Sequence, residues 1–398
     1  MQKKWIIWGM VLGALLQGEW LLAQQKFSLT PVSEAETSLN TVTCTVHQLE
    51  EITYIYAGGS GDKIDIFSVD AQGKLESVAR TKVSGKHVRG VITDKIAGKD
   101  FLFAGIKGAN AVEVFEIMKD GTLKSVFIAK DTESTYLGTV ITLQVVHMTE
   151  SSYLFVGGLE QAPGLSSFKI LPDGHLEHIH SIADTKELFL DGVIAMSIHR
   201  IQGKTFLFAG GFHDNGLSSF QVFEDGHFET RDKLGDDPVR YLNGTYPLVS
   251  ATLGGRHYIV VGHRHHIYYE PTPWVKDRET YYYHGDAVSV FITNEQGEIV
   301  PRSVFKGNSE TLIKGQTRIQ CLPMDDNHEL VAVATRDDAS IQLCILDHKG
   351  RLIDAGNLAT GLPVYYGLTG KKIGDRFFLF AGSTEDQTFV SYRLDPID

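Results

Sequence analysis

The chain has 398 residues, of which 42% are hydrophobic and 22% charged, and its net charge is −12. That balance is globular rather than disordered. The negative charge, with no basic run beyond the first residues, disfavours a nucleic-acid partner, whose phosphates need a cationic patch. The three cysteines, Cys44, Cys321 and Cys344, include no CxxC pair. They read as small buried core residues rather than a disulfide framework or a zinc site.

In chain order, Lys3 and Lys4 precede the apolar run Trp5 to Leu16, and Ala23 offers a small residue before Gln24. The pattern predicts a cleaved signal over residues 1–23, and the run is short for a membrane span. The mature chain is then expected to be secreted or periplasmic, with no membrane insertion.

From there one phrase recurs: two or three apolar or aromatic residues, a small residue, then Gly. It reads Tyr54-Ile55-Tyr56-Ala57-Gly58 in its first copy and Phe206-Leu207-Phe208-Ala209-Gly210 in its fourth. Six copies end at Gly58, Gly105, Gly157, Gly210, Gly262 and Gly382, and a weaker one, Leu330 to Ala334, makes seven. The steps along the seven are 47, 52, 53, 52, 72 and 48 residues. A period near fifty in a strand-rich chain signals a repeat architecture.

The fourth repeat shows the unit. Val193 to Ile198 reads as a strand, Gln202-Gly203 as a turn, and Thr205 to Gly210 as a second strand. After the turn His213 to Gly216, Leu217 to Phe223 alternates as a third strand. Asp225-Gly226 is a hairpin signal, because both residues tolerate positive φ, and a fourth strand follows. Gly recurs at the hairpin position as Gly73, Gly121, Gly174, Gly297 and Gly350.

Four short strands per repeat and seven repeats predict an all-β, seven-bladed β-propeller of four-stranded antiparallel blades. It forms a single domain over residues 24–398. The last repeat lacks a fourth strand, and Lys26 to Val32 is left without a partner. The N-terminal strand is therefore expected to complete the last blade, closing the ring without an open edge.

A second column, Gly90, Gly138, Gly192, Gly244, Gly315 and Gly367, stands near the start of each innermost strand. There a missing side chain would relieve crowding at the axis. Loops leaving the phrase strands and loops leading into the innermost strands share one face, where a binding site is expected.

The fifth repeat carries an insertion over about residues 263–285, roughly twenty residues beyond the usual turn. It is rich in His, Tyr and Trp, among them His263, His265, Tyr268 and Trp274. Imidazoles serve as acid or base, and aromatic faces stack on sugar rings. On the same face lie His213, Asp214, Arg264, Arg336 and Asp337, with Tyr246 and Arg318 nearer the axis. His263, His265, Asp214 and Asp337 are candidates to activate water. His213, Arg264, Arg318, Arg336, Tyr246, Tyr268 and Trp274 are candidates to hold a substrate. Spacing fixes no third ligand beside His263 and His265, so neither metal nor cofactor is expected. His47, His147 and His199 fall on the opposite face and read as structural. Asn243-Gly244-Thr245 is a lone glycosylation triplet.

The phrase strand, short turn, Gly-Leu-Ser-Ser-Phe, then Asp-Gly and an apolar residue is similar to the grammar of the lactonase-like seven-bladed propellers. These include the propeller-type 6-phosphogluconolactonases. The resemblance spans about residues 42 to 394. It implies a propeller with a site at its mouth where water opens a lactone ester. The expected partner is then a small lactone or carbohydrate, handled by a monomer. A non-catalytic glycan- or protein-binding propeller and a propeller-type polysaccharide lyase are the other functions the His, Tyr and Arg mixture fits.

Overall fold

The computed structural model describes residues 25–38, 40–160, 163–264, 286–364 and 367–397. Among them every sheet is four-stranded and antiparallel, and there are seven. The fold class read from the repeats is the one observed. In the fourth blade the strands are Val193–Ile201, Lys204–Gly211, Gly216–Val222 and Phe228–Gly235, running outward from the axis. The turns fall where Gln202-Gly203 and Asp225-Gly226 placed them.

The third strand expected over Leu217 to Phe223 is Gly216–Val222, and its Leu217, Ser218, Ser219 and Phe220 are all fully buried. A blade is covered on both faces by its neighbours, so alternation there does not separate a wet side from a dry one. Ser219 Oγ donates to the Gly297 carbonyl of the next blade at 2.6 Å, so the buried hydroxyl is satisfied.

The phrase strands are the structural centre of the ring. The aromatic residue that opens each phrase lies under the hairpin glycine of the following blade. Gly174 stands over Phe101, Gly226 over Tyr153, Gly297 over Phe206 and Gly350 over Tyr258. The phenols add hydrogen bonds in the same place: Tyr258 Oη donates to the His348 carbonyl at 2.7 Å, and Tyr153 Oη to the Glu224 carbonyl at 2.9 Å. Each blade is thus keyed to the next by a ring and a turn without a side chain.

Closure follows the sequence reading. The strand Lys26–Glu36 pairs antiparallel with Thr388–Ile397, from Lys26 opposite Ile397 to Glu36 opposite Thr388. Phe27 and Leu29 sink into a core cluster with Leu330, Leu343 and Leu394. Outer edges are also broken by bulges, at Val78 in the first blade and Ile179 in the third, which blunts edge-to-edge pairing. All three cysteines are free thiols, with Cys44 and Cys344 buried and Cys321 partly so.

The three histidines read as structural are bonded on the face opposite the long loops. His47 Nε2 is 3.1 Å from Asp100 Oδ1, His147 Nε2 is 3.0 Å from Asp94 Oδ1, and His199 Nε2 donates to the Tyr258 carbonyl at 2.8 Å. Each contact crosses from one blade to its neighbour. Asn243 is fully buried, so its triplet is no glycan acceptor.

Candidate functional site

The inner strands begin at the face that carries the long loops, and those of the first six blades begin with an irregularity. Pairing slips between Thr41 and Thr43, Val88 and Gly90, Val140 and Thr142, Val193 and Ala195, and Gln316 and Arg318. In the fifth blade it slips between Thr245 and Leu248. The extra residues are Val42, Arg89, Ile141, Ile194, Thr317 and, in the fifth blade, Tyr246 with Pro247. Val42, Ile141, Ile194 and Tyr246 join Leu159 and Phe212 in one buried cluster. The upper end of the channel therefore carries an apolar collar.

Just before the inner strands of blades two to six the backbone turns left-handed. Gly192, Gly244 and Gly315 hold φ of +74°, +58° and +67°, while His87 and Thr139 take the same conformation at +60° and +53°. Handedness of the turn, more than crowding at the axis, explains these glycines. Gly90 is different, since it lies inside its strand with Ile141 backbone against it. The conformation lets the residue after each phrase strand bond back: Phe212 N–H to Gly192 O at 3.0 Å, Arg264 N–H to Gly244 O and Arg336 N–H to Gly315 O, both at 2.9 Å.

These bonds set the candidate side chains of the fourth and fifth blades side by side. His213 Nδ1 is 2.9 Å from Asp191 Oδ1, and the two side chains are only 5% and 4% exposed. Asp214 is buried, and its Oδ2 accepts from the Asp191 backbone N–H at 3.3 Å. Asn215 Oδ1 accepts the Gly244 N–H at 2.7 Å, tying this loop to the fifth blade. The Phe212 ring lies 5.2 Å from that of His213 and 5.3 Å from that of Tyr246, and the Arg264 guanidinium stands 5.3 Å over Tyr246. His213, Asp214, Tyr246 and Arg264 thus share one mouth.

Of the other candidates, His263 pairs with Thr245 beside this group in the fifth blade, while Arg318, Arg336 and Asp337 belong to the sixth. His263 is fully buried and faces Tyr241, with ring centroids 5.8 Å apart. Burial lowers its pKa to about 4, so the ring is neutral near pH 7. Asp337 is exposed, with its carboxylate over Gly315, on the sixth blade beside Arg336. Arg318 lines the central channel below the collar. His265, Tyr268 and Trp274, with most of the fifth-repeat insertion, lie outside the described residues.

Asp191 gains a definite part that its chain position did not reveal. It sits twenty-two positions before His213, on the other loop of the same blade. No spacing motif links them, because their meeting depends on the turn at Gly192. Among the described residues no group of three or more His, Cys, Asp or Glu stands close enough to hold a metal ion. Nor is any helix among them long and apolar enough to cross a membrane.

No family model matches the sequence, and no curated protein matches it. Among solved structures, the chain is similar to a structural-genomics target protein from Lactobacillus plantarum. The TM-score is 0.59 at 13% identity, over 84% of this chain and 96% of that one. At that identity the likeness establishes the seven-bladed propeller fold and nothing about activity.

Proposed function

We propose that the protein is an exported lactonase-like hydrolase that opens a small, sugar-derived lactone at the mouth shared by the fourth and fifth blades. The observation that carries this reading is the buried His213–Asp191 pair. A carboxylate on one ring nitrogen fixes the imidazole's orientation and tautomer, and stabilises the cation formed when the other nitrogen takes a proton. His213 would remove a proton from water as the water oxygen attacks the lactone carbonyl carbon. Collapse of the tetrahedral adduct breaks the ring C–O bond. His213 then returns the proton to the departing oxygen, leaving a hydroxy acid. Arg264, held over Tyr246, supplies positive charge for the carbonyl oxygen or an anionic substituent.

His263 is poorly suited to the base's part. A proton acceptor works best with a pKa near the operating pH, and burial has moved His263 to about 4. Acid release from a lactone panel, followed at constant pH, tests the proposal. Wild type should exceed spontaneous hydrolysis. His213→Ala should lose on the order of 10³-fold or more in kcat, as triad histidines do. Asp191→Asn should lose less but shift the pH profile, with melting unchanged. A silent wild type, or full turnover in His213→Ala, would discard the reading.

A second reading rests on burial itself. His213, Asp214, His263 and Arg264 are each 7% exposed or less, as the residues of a satisfied rim would be. It makes the protein a binding propeller for a glycan or protein. Ligand capture without acid release, and without the ultraviolet-absorbing products of a lyase, would favour it.

A further inference from the structure

The apolar collar is interrupted in blade two. The register slip places Arg89 at the position where blade one has Val42 and blade three has Ile141. Arg89 is partly exposed, yet its Nε is buried and has no hydrogen-bond partner among the described residues. A buried donor left that way is costly, so it marks a place where an acceptor belongs.

Glu160 of blade three does not fill that place. Its Oε1 accepts from Lys107 Nζ at 2.7 Å and its Oε2 from Thr139 Oγ1 at 2.8 Å. Partial burial would raise the Glu160 carboxyl, but these two hydrogen bonds, with the charges of Lys107 and Arg89, hold it below the ordinary carboxylate value. Arg89 thus acts on Glu160 through charge, while Lys107 and Thr139 occupy its oxygens.

More cations gather at the same corner. Lys86 and His87 lead into the inner strand of blade two, and Lys107 follows its phrase strand. The two loops are tied by Lys107 N–H to His87 O at 3.0 Å and Gly108 N–H to Lys86 O at 2.9 Å. Partial burial lowers the His87 pKa, and the charges of Arg89, Lys107 and Lys86 lower it further. On a chain of net charge −12, Lys86, Arg89 and Lys107 here outnumber the single carboxylate of Glu160. An ammonium carries more donors than its one bond to Glu160 uses, and a guanidinium can grip a carboxylate with two parallel bonds. The collar neighbours Val42 and Ile141 offer no partner to a ligand's hydroxyls, so burying hydroxyls against them is unfavourable.

We infer that the collar at blades one to three is a binding site for a small monocarboxylate with an apolar body. The carboxylate lies between Arg89 and Lys107, and the body lies against Val42 and Ile141. The site is separate from the His213–Asp191 pair of blade four and stands whether or not that pair turns over a lactone.

Phenylacetate, titrated calorimetrically into the wild-type protein, is the probe. Benzyl alcohol, which lacks the charge, and gluconate, which lacks the apolar body, are the controls. Phenylacetate should bind about tenfold or more tighter than either control. Arg89→Gln should weaken it by about tenfold or more, whereas Arg264→Gln in the fifth blade should leave it unchanged. Val42→Thr, which keeps the shape and adds a hydroxyl, should narrow the preference over gluconate. A crystal structure of the wild-type protein with phenylacetate decides independently of how the variants fold. Carboxylate density between Arg89 and Lys107 supports the site, and a ligand bound elsewhere, or none, overturns it. Absence of phenylacetate binding, equal binding of either control, or a loss in Arg264→Gln without one in Arg89→Gln would each overturn it too.

Discussion

Gly350 stands directly over the ring of Tyr258: a Cβ built on it would lie 2.6 Å from Tyr258 Cε1. The φ of Gly350 is +72°, so the turn is left-handed as well as crowded. Gly203 offers a natural control, with φ +80° and nothing within 4 Å of its built Cβ. Gly203→Ala should cost about 1–2 kcal/mol from the left-handed backbone alone. Gly350→Ala carries that cost plus overpacking against the ring, about 1–3 kcal/mol more. Urea unfolding of the two variants measures the difference, and equal losses would show that the ring contact is unimportant.

The N-terminal strand should be indispensable to ring closure. Leu29 is buried against Leu394 and Leu330, and Leu29→Ala is expected to cost about 2–5 kcal/mol. A chain beginning at residue 38 leaves the strand Thr388–Ile397 as an unpaired edge and uncovers the core around Leu330. Such edges recruit other chains. Size-exclusion chromatography should show the truncated protein self-associating. A monodisperse product with wild-type melting would contradict the closure.

Acid should destabilise the protein before its carboxylates titrate. Burial lowers both His199 and His263 to about 4, against an ordinary value of 6.5. Below pH 6.5 the unfolded chain gains protons that the native chain refuses until about pH 4. The contribution is therefore complete above pH 6.5 and drains away as pH falls from 6.5 to 4. It amounts to at most on the order of 3 kcal/mol per histidine. His199→Gln, which keeps a donor for the Tyr258 carbonyl, should flatten the acid limb of stability against pH. An unaltered limb would assign the acid sensitivity elsewhere.

The loops that lead into the inner strands are braced by a repeated aspartate. Asp131 Oδ1 accepts the Leu137 N–H at 3.0 Å, Asp184 Oδ1 the Leu190 N–H at 3.1 Å, and Asp236 Oδ1 the Leu242 N–H at 2.7 Å. Asp184→Ala strips a partner from the buried Leu190 N–H, one residue before Asp191. A loss of about 1–3 kcal/mol is expected. If His213 and Asp191 act together, kcat for lactone opening should fall by more than KM changes. Turnover unaffected despite lower melting would separate the brace from the site.

Much of the ring was legible because its signals are local. The aromatic that opens the phrase and the Asp-Gly hairpin are each read within a few residues, yet they turn out to be two halves of one contact between neighbouring blades. Even the imperfect copy makes sense. Leu330 occupies the aromatic's position in blade six, and blade seven has no hairpin glycine to meet it, because the outer strand of that blade is Lys26–Glu36. Burial of Gly216–Val222 on both faces, by contrast, is set by neighbouring blades that a strand's own pattern does not record.

The sequence alone determined how many blades there are, where they turn and which segment completes the last one. Periodicity and turn chemistry act over a few residues, and a repeat multiplies them until the pattern is unmistakable. Only the tertiary structure decided what meets at the axis: Asp191 on His213, Phe212 against Tyr246, and Arg318 in one cavity with Ser197. Those neighbours lie from about twenty to more than a hundred residues apart in the chain. Ring closure and the left-handed turns before the inner strands bring them together, and no spacing rule encodes a meeting that depends on all seven blades at once.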